Sequence, residues 1–241
     1  MLFDHQFRII SLLAVFLLPA CTFAQAAATP SPTPVNLARD IVHDQKAIWT
    51  SPARIKKRDF KWIAPLALGT AELIATDRTT SRRVSLNGSL PGTSKDVSFI
   101  GSVYATAGVA GGFYIYGRAA KNDHARETGR LAAEALIDTF LITQAVKFAA
   151  GRRRPSEDDG RGRFWKGGSS FPSGHSSSAW AVATVVAYQY RRRPWIKYSA
   201  FALATLVSMS RYSGRKHFLS DVAVGSAIGF GIGRFVYRSH H

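Results

Sequence analysis

The sequence predicts an all-α protein, a helical bundle of about six core helices. Apolar segments of helical length recur along most of the chain, strand-type alternation is scarce, and no internal repeat divides it. At 241 residues and 46% hydrophobic content there is room for one good-sized core.

The elements follow in chain order. After Arg8 comes the apolar run IISLLAVFLLPA (9–20), then small residues in an A-x-A arrangement ending at Ala24 or Ala26. The run is shorter than the roughly 20 residues a bilayer span needs. Residues 1–24 therefore read as a secretory signal peptide, with an uncleaved anchor as the alternative. The only cysteine, Cys21, lies in LPAC, which loosely resembles a lipoprotein acceptor, so lipidation is a second alternative. Cleavage after Ala24 leaves a chain without cysteine, which excludes disulfides and thiol chemistry. Residues 25–60 comprise a proline-rich linker, ATPSPTP (28–34), and a polar, partly helical segment. That segment ends in the solvated basic cluster RIKKR (54–58). The domain proper is expected over 61–239. Its helices are expected at 61–76, 98–119, 127–150, 175–190, 196–210 and 218–237. Gly151 and Pro155 end the third, and Pro172-Ser173-Gly174 opens the fourth.

Whether such helices sit in lipid is a separate matter. Glu134 and Asp138 in the middle of 127–150 are costly in hydrocarbon unless they face the bundle interior. Of the uncharged runs, that from Val97 to Gly117 alone has spanning length, and glycines 108, 111 and 112 in it suit tight helix packing. A mean hydropathy of −0.04 favours a water-soluble, membrane-apposed bundle, with an integral membrane protein as the alternative.

The formal charge of +17 implies polyanionic company: nucleic acid, an anionic membrane surface, or phosphorylated substrates. Three clusters at helix ends bear on that choice. In KFAAGRRRP (147–155), Lys147 and Arg154 offer cations, although basic residues also favour any helix C-terminus. In FPSGHSSSAW (171–180), Ser173 and Gly174 open a helix whose first N–H groups form an anion site. His175 stands at that mouth, placed to donate a proton to a departing oxygen. A plain serine N-cap with an incidental histidine is the other reading. In SRYSGRKHFLSD (210–221), Arg211 is a third cation, and Asp221 lies one turn after His217 if the chain is already helical there. The aspartate would then orient one ring nitrogen, leaving the other nucleophilic. Metal ligation by this pair lacks further ligands at suitable spacing. Together the clusters supply cations, N–H donors, a nucleophile and an acid, as phosphoryl transfer requires.

Lys147, Arg154 and Pro155, then Pro172 to His175, then Ser210, Arg211, His217 and Asp221 resemble the three-part signature of the type 2 phosphatidic acid phosphatase and vanadium haloperoxidase superfamily. The resemblance covers about residues 127–235, with every signature position matched. It implies the helical bundle of that superfamily and hydrolysis without a metal. His217 would attack phosphorus to give a phosphohistidine, Asp221 would orient it, and His175 would protonate the leaving group. Lys147, Arg154, Ser173, Gly174 and Arg211 would hold the phosphoryl oxygens.

The leading expectation is thus an exported phosphatase, periplasmic or membrane-associated. Its substrate would be a phosphomonoester or diphosphate, as in phosphatidate, a polyprenyl diphosphate or a lipid A phosphate. The alternatives are an acid phosphatase for small soluble phosphoesters and a haloperoxidase-like enzyme that would take vanadate as its cofactor. Under the leading reading no cofactor and no nucleic-acid partner is expected, and oligomeric state is open. Arg152, Arg153, Arg215 and Lys216 flank the signature and are assigned to substrate contact or to the general positive surface. The loop 156–170, with Phe164 and Trp165, is a lid or plain packing. His124, His240 and His241 carry no expected catalytic role.

Overall fold

The computed structural model describes residues 37–86 and 102–241. The signal-peptide and linker readings, Cys21, and residues 97–101 of the expected span lie outside these residues. Seven α-helices are present among the described residues, and no strand. They are α1 (Leu37–Thr50), α2 (Phe60–Leu86), α3 (Val103–Ala119), α4 (Asp123–Ala150), α5 (Gly174–Gln189), α6 (Pro194–Ser213) and α7 (Leu219–Ser239). The last six are the expected core helices, and α1 is the helical part of the polar segment. The cluster at 54–58 is exposed throughout.

The helix ends follow local chemistry. Asn122 accepts the N–H of Ala125 at 3.0 Å to start α4, and Gly151, at φ +52°, ends it in the left-handed region that favours glycine. Ser173 caps α5, and Pro194 occupies the first turn of α6. Helix α2 runs ten residues past its expected end because its second half, TDRTTSRRVSL, buries polar groups, Asp77 and Ser81, rather than an apolar stripe.

The core joins α4, α5 and α7 through Leu131, Ala135, Val182, Val185, Ile232 and Val236. Burying each of the larger side chains is worth about 2 kcal/mol. Helices α5 and α7 approach most closely along one strip. A Cβ at Gly225, Gly229 or Gly233 would lie 2.6, 2.1 or 2.6 Å from the carbonyl oxygens of Ser173, Ser177 and Ala181. Both rows step by four residues, as in packing of i±4 ridges into one another. This contact draws the N-termini of α5 and α7 together, and Ser173 N–H donates to the Asp221 carbonyl at 2.9 Å.

Two expectations need correction. Glycines 108 and 111 face open space, and close packing of α3 on α4 runs instead through Gly117 and Gly129, whose added Cβ would lie 2.2 and 2.4 Å from backbone nitrogen atoms. The helix expected at 98–119 is, among the described residues, a helix of 17 residues from Val103, because Ser102 accepts the N–H of Ala105 at 3.2 Å and caps it there. Among the described residues one helix, α7, is long and apolar enough to cross a membrane, and 44% of its apolar window is buried within the bundle. Large apolar side chains are exposed elsewhere, including Tyr104, Ile115, Phe148, Tyr198 and Leu206.

Candidate active site

The three signature clusters meet at one end of α4, α5, α6 and α7. Lys147, in the last turn of α4, donates through Nζ to the carbonyls of Ser169 and Pro172, both at 2.7 Å. Arg154 reaches Ser169 Oγ at 3.4 Å. Arg211 ends α6. The Nε atoms of Arg154 and Arg211 are buried without a hydrogen-bond partner, so donor capacity there is unspent. Burial, then repulsion by Arg154, lowers the Lys147 ammonium to about 8, and the same two causes lower Arg211 to about 10. The cluster is an excess of positive charge that an anion would relieve.

His217 is 3% exposed and stands just before α7, whose first turn Asp221 caps by accepting the Phe218 N–H at 2.9 Å. The residue is therefore not yet helical, as the expected helix start at 218 has it, and the condition for placing Asp221 one turn on along the same face is not met. Its Nδ1 lies 2.7 Å from the Ser170 carbonyl and 3.7 Å from Asp221 Oδ2. The first is a hydrogen bond, and the second is too long for one. A carbonyl only accepts, so Nδ1 carries the proton and Nε2 the lone pair. Asp221 acts one step removed, accepting from Ser170 Oγ at 2.5 Å. Burial, outweighing the nearby Asp221 carboxylate, lowers the His217 pKa and keeps the ring neutral. The Arg211 carbonyl receives the N–H groups of Lys216 and His217 at 3.1 and 3.3 Å, which ties the third cation to the histidine.

Ser173 is fully buried. Its N–H is committed to Asp221 and its Oγ accepts from the N–H and hydroxyl of Ser176 at 3.4 and 3.0 Å. The anion donors expected at this entry are therefore the N–H groups of Gly174 and His175, which begin α5 and have no intrahelical carbonyl to bond. Burial lowers His175 to about 3, helped by the charges of Arg211, Lys147 and Arg154. A bound anion among those cations reverses that repulsion and favours a protonated ring.

Arg152 is neither a substrate contact nor a surface cation. It is 1% exposed, donates from Nη1 to Asp221 Oδ1 and Ser220 Oγ, both at 2.7 Å, and from Nη2 to Asp77 Oδ2 at 2.8 Å. Its Nε donates to the Gly162 carbonyl at 3.0 Å, and the rings of Phe164 and Phe218 lie over the guanidinium at 4.7 and 4.1 Å. Ser220 also donates its N–H and Oγ to Asp77. One arginine thus joins α2, the 156–170 loop and α7 behind His217. Burial pushes the Asp221 carboxyl up, but His217, Arg152 and Ser170 outweigh it and hold the group below its ordinary value.

The loop itself is pinned to α4: Trp165 N–H donates to the Ala150 carbonyl, Lys166 and Gly168 to Gly151, and Ser170 to Arg152. Phe164 packs against Arg152 and Phe171, while Trp165 is 80% exposed. Arg153 and Lys216 are exposed and Arg215 half-buried. His124 packs edge-on against Tyr190, and His240 lies 3.6 Å from Glu134, both outside this cluster.

Comparison with known proteins fits this arrangement. Residues 129–241 match the model of the PAP2 superfamily. A lipid A 1-phosphatase of Porphyromonas gingivalis is 34% identical over 97 residues, 40% of this chain and 20% of that protein. A PA-phosphatase related-family protein of Dictyostelium discoideum is 32% identical over 146 residues, 52% of each chain. The chain thus spans between a fifth and about half of these curated relatives. The fold is shared with a transmembrane PAP2 type phosphatidylglycerolphosphate phosphatase from Bacillus subtilis. That structure aligns at a TM-score of 0.53 and 20% identity, covering 86% of this chain and 95% of that one. Through residues 129–241, the chain is similar to the PAP2 superfamily.

Proposed function

We propose that this protein is a phosphatase that hydrolyses a phosphomonoester or diphosphate of a lipid, without a metal, through a phosphohistidine. The observation that carries this reading is the tautomer of His217. With Nδ1–H donated to Ser170, the Nε2 lone pair belongs to a buried, neutral ring beside Lys147, Arg154 and Arg211. Nε2 attacks phosphorus, the bond from phosphorus to the leaving oxygen breaks, and His175 gives that oxygen its proton. Water then attacks the phosphohistidine, the P–N bond breaks, and His175 takes a proton back. The three cations and the first N–H groups of α5 hold the equatorial oxygens as charge develops. Asp77 reaches this site from α2, which supports a single working domain over 61–239.

A lipid substrate is supported by two exposed aromatic side chains that adjoin the signature residues in the chain. Phe148, 92% exposed, follows Lys147 directly, and Trp165, 80% exposed, is bonded to Ala150 two residues on. Exposed apolar rings beside an anion site suit a substrate with a charged head and an apolar tail. We place the protein outside the cytoplasm, exported by residues 1–24 and acting at a membrane surface.

The purified protein should release phosphate from an aryl phosphate in chelator, at a temperature where it stays folded, and vanadate should inhibit it. Indifference to vanadate would sink the reading. Lipid phosphates should outcompete soluble phosphoesters, and Phe148→Ser with Trp165→Ser should erase that preference. His175→Ala should lose on the order of a hundredfold with an alkyl leaving group and much less with a nitrophenyl one. Equal losses would count against a general acid.

A further inference from the structure

Five of the chain's fifteen acidic residues converge far from the catalytic cluster, where α1 lies on α4. They form a strip with two unlike ends. At the outer end Arg130 serves Glu127 at 2.6 and 2.9 Å, Asp40 at 3.5 Å and Glu134 Oε2 at 2.9 Å. At the inner end stand Asp44, Glu134 and Asp138, exposed by 2, 0 and 0%. Asp44 Oδ2, Glu134 Oε1 and Asp138 Oδ2 are buried without a hydrogen-bond partner. The other Asp138 oxygen accepts from Gln45 Nε2 at 2.8 Å. His240 approaches Glu134 Oε1 only to 3.6 Å.

Buried carboxylates must be paired, protonated or bound to a metal, because the desolvation of an unpaired charge costs several kcal/mol per ion. Arg130 reaches Glu134 Oε2 but leaves Asp44 Oδ2, Glu134 Oε1 and Asp138 Oδ2 without a partner. Each of the three residues there offers an oxygen within 4.8 Å of the other two. Oxygens that close can share one cation held at about 2.4 Å from each, the bond length of Ca²⁺. An all-oxygen, carboxylate-rich set is also what a hard divalent cation selects.

We propose that Asp44, Glu134 and Asp138 bind a divalent cation of the Ca²⁺ type, which clamps α1 to α4. The site is structural and stands apart from hydrolysis: Asp138 and Lys147 are nine residues apart on one helix, about 14 Å at 1.5 Å per residue. The competing arrangement is a proton shared between Asp44 and Glu134, whose carboxyl groups are close enough to hydrogen-bond once one is protonated.

A local reporter exists. Trp49 Nε1 donates to Gln45 Oε1 at 3.1 Å, and Gln45 in turn holds Asp138. With the full-length protein stripped by EDTA, Tb³⁺ should give tryptophan-sensitised emission that Ca²⁺ displaces. Trp49→Phe should remove most of that emission. Millimolar Ca²⁺ should raise the melting temperature of the wild type by about 5 °C or more, as expected for a ligand far above its dissociation constant. Asp138→Asn should lose both responses. Emission that survives in Trp49→Phe would place the ion elsewhere and overturn the site. So would a melting temperature unmoved by Ca²⁺, Mg²⁺ and Mn²⁺, or an Asp138→Asn variant that melts higher than wild type in EDTA and in Ca²⁺ alike, the mark of carboxylates that repel one another with no ion between them. If the variant does not fold, the wild-type titrations with Tb³⁺ and Ca²⁺ decide alone.

Discussion

His217→Ala is expected to lower turnover of an aryl phosphate by on the order of 10⁴-fold or more, because no other group among those described offers phosphorus a lone pair in that position. His217→Asn is the sharper variant. Its side-chain amide can still donate to the Ser170 carbonyl, so the local fold is kept while the nucleophile is removed. Both should be equally inactive, and both should still bind vanadate, since Lys147, Arg154 and Arg211 remain. A phosphoenzyme trapped from the wild type should be stable in alkali, labile in acid, and absent from either variant. Label on an aspartate, or turnover that survives in His217→Asn, would defeat the assignment.

The second large effect is at Arg152. Removing one partner from a buried ion pair leaves an uncompensated charge, which costs about 3–5 kcal/mol, and Arg152→Met strands two carboxylates, Asp77 and Asp221. The variant should unfold at much lower urea. Asp77→Asn introduced with it should recover part of the loss, because one stranded charge is gone. Arg152→Lys keeps a charge but cannot reach both carboxylates with a planar fork. It should fold, with kcat reduced and KM little changed, since Arg152 positions His217 through Asp221 and Ser170 and touches no substrate. A rise in KM at constant kcat would instead mean direct contact with the phosphate.

Arg152 also marks how far the sequence could be read. Three arginines in a row, 152 to 154, have the same charge and the same neighbours, and signature spacing singles out Arg154 alone. Which of the others turns inward depends on the left-handed turn at Gly151 and on Asp77, 75 positions away in sequence. The cation site was hidden for a similar reason. Glu134 and Asp138 were legible as polar groups inside a helix, but their partner Asp44 lies on another element. The oxygen that holds the His217 ring carries no sequence signal at all, because every residue has a carbonyl. The contact between α5 and α7 has a signal in the chain alone: Gly225, Gly229 and Gly233 recur at helical spacing.

By itself the sequence determined the helices, because apolar period, caps and stop signals act within a few residues, and it determined which helix ends carry the signature residues, because motif spacing is local too. Only the tertiary structure decided what holds the His217 ring, which arginine is buried, and where more carboxylates gather than one arginine can serve. Those depend on desolvation, and a side chain loses its water only when distant elements close over it.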